Sequence, residues 1–535
     1  MNIPINLFFW SLCTVPIILL LVLMIGFQWG ASKAAPFTLA VTVILGVVFF
    51  KANGTVISSE LLKAVWNSTG IVLVIITAIL LYEVSSESKA FDTLNQLFRK
   101  LAPNELIRIM LIGIVFASFL QGITGFGVPV LVAAPLLLNI GVAPMWAVII
   151  PLLGHSWAGT FGTLALGWNA LLIQTGIEDK ALIFQSALYA SFFLLILTIL
   201  FSYIITYFYG GWKGVRKGFI AVAVITLIQG GGQMIFSVIN PELAAFVPSA
   251  ISLLAIIGLS KTPLYRTEWQ LTNSRIMIRK EEETAVPETA MSTNQALLPY
   301  YLVTVISLVV LLVPVVTNWL GAFSFGPRFG ETQTGYGVIN SAIEQYAPLT
   351  PLTHASMFLL VSSLLSYFYY RKKGLIKGRV LKDLFVRAFK KALSPSIAVL
   401  SLLSISRVMA GTGQTFVLAQ GISTVLKEQY VFIAPFIGLL GSFITGSNMS
   451  SNILFGDFQL QVSEIIGLKT PAILGAQTAG GGIGTSIAPG NIILGTTTAG
   501  ILGSEGKVLI KIIPWTLAVA TIFGILLFLD YTFFF

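Results

Sequence analysis

The residues best suited to chemistry fall into two stretches that read as one part built twice. The first runs Phe119-Leu-Gln-Gly122-Ile-Thr-Gly-Phe-Gly127-Val-Pro129, then Gly141-Val-Ala-Pro144, then His155 and Gly159-Thr-Phe-Gly162-Thr163. The second runs Phe443-Ile-Thr-Gly446-Ser-Asn-Met-Ser-Ser451-Asn452, then Gly467-Leu-Lys-Thr-Pro471, then Gln477 and Gly481-Gly-Ile-Gly484-Thr485. In each, an apolar helix runs into Gly and polar residues. Backbone opened at membrane depth is tolerated only inside protein or beside a cavity. Gly/Pro-interrupted segments at matching places in two halves point to the binding site of a secondary transporter. A break there frees helix N-terminal N–H groups, and such an end carries roughly half a positive charge. It holds a carboxylate or phosphate without needing Lys or Arg. Thr124, Gly125 and Gly127 permit close backbone approach, and Pro129 suits a helix's first turn. Ser447, Asn448, Ser450, Ser451 and Asn452 add hydroxyl and amide groups. Gly and Ser also line ordinary helix interfaces in membranes; the duplication favours a site over simple packing.

Seven residues before Gly162 stands His155, and seven before Gly484 stands Gln477. A titratable and a neutral hydrogen-bonding side chain thus occupy equivalent places. Ser156, Thr160 and Thr163 extend the polar lining on the first side; Thr478, Ser486 and Asn491 do so on the second. His155 either bonds a substrate hydroxyl or carboxylate, carries a coupling proton, or is a satisfied structural histidine. His354 reads as structural or peripheral. Charges inside apolar runs are Glu83, Arg407 and Asp457. Asp457 and Arg407 join His155 as coupling-ion candidates, because an unpaired charge in a membrane is costly; Glu83 reads as interfacial.

The elements that must position these residues are membrane helices. The chain is 56% hydrophobic and only 10% charged, with a mean hydropathy of +0.91, far from a soluble composition. Apolar runs near 5–27, 35–51, 68–84 and 105–121 precede a short segment 122–140, a Gly-rich span 144–176 and a run 180–207. Runs 297–320, 350–370, 392–410 and 429–445 precede a short segment 446–466, a Gly-rich span 471–500 and a run 507–533. Each short segment fits a re-entrant hairpin or a broken helix. Residues 1–207 and 297–535 are therefore expected to be two inverted-topology repeats of an all-α polytopic membrane protein. Between them, 208–296 supply two linking helices (217–240 and 242–259) and a cytoplasmic loop containing Glu281–Glu283.

Net charge is +10, and the basic residues sit in short loops, as cytoplasmic loops require. With the N-terminus outside, every strongly basic segment falls inside, and only Lys51 and Lys63 disagree. The stretch 371–391, with nine Lys or Arg, reads as a surface-lying cytoplasmic helix drawn to anionic lipid. Cys13 is the sole cysteine, so no disulfide forms within the chain. The first apolar run reads as a retained helix in a cell-membrane protein. No cofactor is expected. A membrane enzyme is disfavoured, since paired histidines at metal-ligand spacing, a Ser-His-acid set and a carboxylate dyad are all missing from the interior.

Gly125-Phe-Gly-Val-Pro129, Thr445-Gly-Ser-Asn-Met-Ser-Ser-Asn-Ile-Leu-Phe455, Ala476-Gln-Thr-Ala-Gly-Gly481, Ile487-Ala-Pro-Gly-Asn-Ile492 and Gly503-Ser-Glu-Gly506 resemble the L-lactate permease family, from about residue 60 onward. The resemblance implies uptake of 2-hydroxymonocarboxylates such as lactate and glycolate, coupled to H⁺ or another cation such as Na⁺. It also implies that the break tips and Gly-rich spans form the substrate site. The chain departs from the family pattern at His155-Ser156, where relatives tend to carry Asn-Thr, and at Gly490, where they tend to carry Gln. A di- or tricarboxylate carrier of similar design, or an anion channel, is the alternative. Paired broken segments further suggest elevator motion, with 105–176 and 429–500 as the transport domain and the remaining helices as a scaffold suited to homodimer contact.

Overall fold

The computed structural model describes residues 2–27, 29–101, 103–125, 127–278, 291–378 and 380–534. The chain is nearly all-helical. In order come α1 (Leu7–Met24), α2 (Ala31–Val48), α3 (Gly54–Glu87), α4 (Ala90–Leu101), α5 (Glu105–Ile123), α6 (Val128–Asn139), α7 (Pro144–Gly154), α8 (Gly162–Thr175) and α9 (Lys180–Ile239). They continue with α10 (Phe246–Ser260), α11 (Leu298–Leu312), α12 (Pro314–Gly321), α13 (Ala355–Lys372), α14 (Leu381–Thr412) and α15 (Gln414–Leu426). The last are α16 (Tyr430–Thr445), α17 (Asn448–Ile466), α18 (Thr470–Thr485), α19 (Pro489–Thr498) and α20 (Glu505–Phe534). Helix starts carry the side chains that satisfy free N–H groups. Asn53 caps α3, Asn104 caps α5, Asp179 caps α9 and His354 caps α13.

Among the described residues nine helices are long and apolar enough to cross a membrane, or ten if one bent pair is a single span. Their outer faces are apolar: Leu227 is 74% exposed, Leu254 71% and Ile510 73%. Water would not tolerate such a belt; lipid does. The chain is a multi-pass membrane protein.

Two groups of helices are evident from the packing. α3 lies along α14 over most of its length, flanked by α2 and α13. α16, α17 and α18 form a tight trio, held against α9 and α20. A minimal antiparallel ladder, Thr332↔Asn340 and Gln333↔Ile339, braces the long segment between α12 and α13.

Several expectations change. The runs 180–207 and 217–240 follow each other within α9 with only the non-helical pair Gly210 and Gly211 (φ 55°, ψ −142°) between them, and the second folds back on the first, so that a Cβ on Gly230 would lie 3.2 Å from Leu195 Cα. The run 297–320 bends by 85° at Val313–Pro314, since proline disfavours helical geometry in the residue before it. Residues 381–391 are no separate surface helix but the first turns of α14. Arg387 donates to Glu83 at 2.9 Å and to Glu87 at 2.5 Å, and Lys391 reaches Glu83 at 2.5 Å. Glu83 is accordingly buried in an ion-paired cluster with half-exposed Arg387 and Lys391. In the polar 261–295 connection, residues 261–278 form an ordered strap. Trp269 O accepts from Glu105 N at 3.1 Å, Gly141 O accepts from Ile278 N at 2.7 Å, and Tyr265 bonds Lys217 O at 2.7 Å. Glu281–Glu283 lie outside the described residues.

Candidate functional site

Each broken segment belongs to a unit of three helices. In the second unit, α17 folds back along α16. Ser451 Oγ donates to Gly438 O at 2.7 Å, Gln459 Nε2 to Ala434 O at 2.9 Å, and Tyr430 OH to Gln459 Oε1 at 2.5 Å. α18 then runs beside α16 in the same direction, backbone against backbone. A Cβ on Gly480 would fall 2.1 Å from Pro435 O, and one on Gly484 2.3 Å from Leu439 O. Only glycine allows that approach, as at other close membrane helix pairs. The first unit repeats the arrangement: α7 runs beside α5 in the same direction. A Cβ on Gly154 would fall 2.0 Å from Gly113 O, Ser118 Oγ donates to Gly154 O at 3.1 Å, and Trp157 Nε1 donates to Ser118 Oγ at 2.8 Å.

In both units the polar break is the turn between the first two helices. Gly125 (φ 58°) and Gly127 (φ 81°) make the turn into α6; Gly446 (φ 81°) makes the turn into α17. α6 and α17 are single helices of 12 and 19 residues following a break. Neither start has a side-chain cap. They are not equivalent as donors. At α6, Val128 N already bonds Gly125 O at 3.0 Å, and Pro129 has no N–H. At α17 the first-turn N–H groups of Asn448, Met449 and Ser450 have no intrahelical acceptor.

The break tips converge on a cavity of about 70 Å³. At roughly 10–15 Å³ per water it has room for five or so small atoms' worth of guest. One wall is Gln121, Gly127, His155, Gly159, Gly162, Thr163, Leu166 and Gly167; the other is Gly446, Ser447, Asn448, Met449, Thr485 and Asn491. Among the described residues no Lys, Arg, Asp or Glu lines it. Hydrogen bonds tie the two walls together. Asn448 Nδ2 reaches Thr160 Oγ1 at 3.0 Å and Thr478 Oγ1 at 3.4 Å, and Thr478 Oγ1 donates to Thr160 Oγ1 at 3.1 Å. Asn452 Nδ2 bonds Gly167 O at 2.9 Å and Thr478 Oγ1 at 2.8 Å. Asn491 Nδ2 bonds Thr485 O at 2.9 Å and Gly446 O at 3.3 Å, fixing both chain turns of the second unit.

Three consecutive non-glycine residues at this junction, Thr163, Leu164 and Ala165, are left-handed, with φ of 50°, 54° and 62°. Such geometry costs about 1–2 kcal/mol per residue. Surrounding contacts hold it: Ala165 N bonds Phe161 O and Trp168 N bonds Thr160 O, both at 2.9 Å. Glycine at 125 makes room for it, since a Cβ there would lie 2.2 Å from Thr163 Oγ1.

Of the residues expected from the sequence to bind substrate, Gly127, His155, Ser447 and Asn448 line the cavity, as do Thr163 and Asn491 of the expected polar lining. The His155 ring is buried and its Nδ1 faces the Pro151 carbonyl. Donating there, a neutral ring presents Nε2 as an acceptor. The structure places Thr124, Gly125, Ser156, Ser450, Ser451, Gln477 and Thr478 outside the wall. Thr124 and Ser156 bond their own helix backbone, at 2.8 Å each. Gln477 turns away, accepting from Gln459 at 2.9 Å and reaching Ser451 Oγ at 3.2 Å. Arg407 is held by Glu60, whose Oε2 it contacts at 2.5 and 2.9 Å, while Lys63 takes Oε1 at 2.7 Å. Asp457 accepts from Gln461 at 2.9 Å and faces α14 within Coulomb range of Arg407. His354 is a helix cap, bonded to Ser356 Oγ at 2.8 Å.

The comparisons with known proteins follow the whole chain. A family model described as L-lactate permease matches residues 11–534. The chain belongs to the L-lactate permease family. Its similarity to the L-lactate permease of Halalkalibacterium halodurans is 26% identity over 524 residues, covering 96% of this chain and 94% of that one. With the glycolate permease GlcA of Escherichia coli it shares 23% identity over 559 residues, with the same two coverages. Among solved structures, the Alcanivorax borkumensis YdaH transporter, described as having an unusual topology, aligns over 88% of each chain at a TM-score of 0.46 and 12% identity. As a permease by family, the chain is not an enzyme.

Within this permease, sequence reasoning passed over Gln121, Met449 and Leu166, and left Thr163, Thr485 and Asn491 outside the substrate set. Gln121 stands one helical turn before Thr124 at the end of an apolar run, and that spacing was the available signal. It also missed Glu60 and Lys63. Their i, i+3 spacing allows mutual neutralisation on one helix face, which is why Lys63 does not violate the charge rule for loops.

Proposed function

We propose that this permease imports L-lactate and related 2-hydroxymonocarboxylates such as glycolate by cation symport, with H⁺ as the cation. The observation that carries this reading is a small, uncharged, donor-lined cavity at the uncapped start of α17. Lactate has six non-hydrogen atoms and glycolate five, which suits that volume. The carboxylate sits on the N–H groups of Asn448, Met449 and Ser450 with the Ser447 hydroxyl, where the helix end is positive. The 2-hydroxyl donates to His155 Nε2, with Thr163 and Gln121 beside it. Thr124, Gly125, Ser156, Ser451, Gln477 and Thr478 hold the wall in shape, and Asp457 and Arg407 do not touch substrate.

The two three-helix units are read as inverted repeats that carry the site past the α2, α3, α13 and α14 scaffold in an elevator motion. The N-terminus lies outside and the protein sits in the cell membrane. The Glu83–Arg387–Lys391 cluster and the 261–278 strap mark the cytoplasmic end. A di- or tricarboxylate would need further neutralising charge, and Arg407 is committed to Glu60.

Reconstitution in liposomes tests the reading. Labelled L-lactate uptake is measured with a pH gradient and a membrane potential imposed separately, together with counterflow. Accumulation under the pH gradient is expected. Saturable counterflow insensitive to pH would replace H⁺ by another cation, and flux without counterflow would indicate a channel. No lactate flux under any gradient would remove the substrate assignment.

A further inference from the structure

We propose that Glu242 is the group that carries the coupling proton, reached from the outside through a second cavity. This inference rests on the symport reading above. A cavity of about 440 Å³ lies between α3, α8, the start of α13 and the segment before it. It shares Leu166 with the substrate cavity, and Leu164 of the left-handed turn also stands in its wall. That turn is thus the partition between the two spaces. In the proposed orientation the larger cavity opens on the outer side, since it lies beside Thr350 and Thr353 of the segment joining α12 to α13.

The cavity wall asks for a hydrogen-bonding guest. Asn67 is 4% exposed and gives its Nδ2 to Tyr346 OH at 2.8 Å, but its Oδ1 has no protein donor. Asn240 Oδ1 is in the same position. Buried oxygens of this kind are normally satisfied, and here the donors must come from water or a hydroxylated guest. A wetted cavity one side chain away from the substrate is a path for protons as well as for substrate.

Among the described residues lining it, only Glu242 and His354 titrate. His354 caps α13 through Nδ1. Glu242, half-buried in the short turn Pro241–Leu243 between α9 and α10, lines the cavity together with Asn169. Asn169 lies on α8, three residues after Leu166, so the carboxyl shares its cavity with the helix that forms one wall of the substrate site. The groups facing Glu242 across the cavity are Asn67, Asn169, Asn240 and His354. Asp457 and Arg407 face α14 and Glu60 instead, away from both cavities.

The cycle adds one proton from external water to the Glu242 carboxylate and returns it to cytoplasmic water after inward movement. No other bond changes. Carried with one carboxylate, the proton makes transport electroneutral, offsetting about 2.3 kcal/mol per 100 mV.

The test is Glu242→Gln in proteoliposomes, with lactate accumulation under a pH gradient compared against lactate counterflow at equal pH. The expected result is at least a tenfold loss of accumulation with counterflow within twofold of wild type, and partial recovery of accumulation in Glu242→Asp. Normal accumulation in Glu242→Gln would overturn the proposal, and so would equal loss of both fluxes in folded protein. If Glu242→Gln fails to fold, wild-type protein is treated with dicyclohexylcarbodiimide, which attacks protonated carboxyls. An adduct on Glu242 that forms more slowly as pH rises is expected, and its absence would overturn the assignment. Failure of the parent reading is distinct, because wild-type protein would then show no lactate counterflow at all.

Discussion

Replacing Asn448 by Asp changes almost no volume but places a carboxylate at the uncapped start of α17. Asn448 Nδ2 lies 3.0 Å from Thr160 Oγ1 and 3.4 Å from Thr478 Oγ1, and the side chain lines the cavity. A 70 Å³ cavity is roughly 5 Å across, so a bound carboxylate lies within about 5 Å of the new charge. At an effective dielectric near 20 the repulsion is about 3 kcal/mol, or 10²-fold and more in affinity. Asn448→Ala removes the two hydrogen bonds without adding charge, and should cost about 1–2 kcal/mol, roughly 5- to 30-fold. The assay is the half-saturating lactate concentration in counterflow, with equal pH on both sides so that no gradient contributes. Because the introduced carboxyl is neutral once protonated, the Asn448→Asp defect should shrink as pH falls, while the Asn448→Ala defect should not. Equal affinities for the two variants at neutral pH would refute the placement of an anion at α17.

Glu60→Gln strips the shared carboxylate from Lys63 and Arg407, whose side chains are 3% and 17% exposed. Uncompensated buried charge should cost about 3–5 kcal/mol of stability, read as earlier unfolding in detergent with unchanged lactate affinity in the folded fraction. Gly480→Ala forces a Cβ to 2.1 Å from Pro435 O, whereas Gly490→Ala meets nothing within 4 Å. The first should lose about 1–3 kcal/mol by overpacking and the second should be silent in the same unfolding assay. Gln477→Ala leaves Gln459 and Ser451 short of a partner and should lower stability by about 1–3 kcal/mol with little change in affinity. Ser447→Ala should do the reverse, and a pure affinity loss in Gln477→Ala would return that residue to the substrate wall.

The breaks at Gly122–Gly127 and Gly446–Asn452 were legible because Gly, Ser and Asn interrupt runs that lipid would keep apolar. What could not be read was azimuth. Counting seven residues back from Gly162 and Gly484 pairs His155 with Gln477, yet one lines the cavity and the other faces Gln459 on α17. Sequence spacing sets height along a helix; the neighbouring helix decides which direction is inward. Long-range charge pairing was equally hidden, since Arg407 finds Glu60 from 347 residues away. Within 371–391, Arg387 and Lys391 likewise find their partners, Glu83 and Glu87, on distant α3.

The absence of charged side chains from the described wall of the proposed substrate cavity follows from what a carrier must do. Its site is empty for half of each cycle, and an arginine there would then be an unpaired charge at membrane depth, costing about 2.5–3.5 kcal/mol on insertion scales. It would also hold the anion tightly on both sides of the membrane and slow release. A helix end avoids both problems, because its half-charge is fixed by the backbone and persists at little cost when the guest leaves. Arg407 and Lys63 are correspondingly locked onto Glu60 in the α3–α14 pair. Charge that must stay put is thereby kept on helices separate from the site, while the site itself binds with N–H groups, hydroxyls and amides. On this argument a gain-of-function cation in the cavity is self-defeating: Thr485→Arg should tighten lactate binding at equilibrium yet slow counterflow. Faster counterflow in that variant would show that release does not limit the cycle.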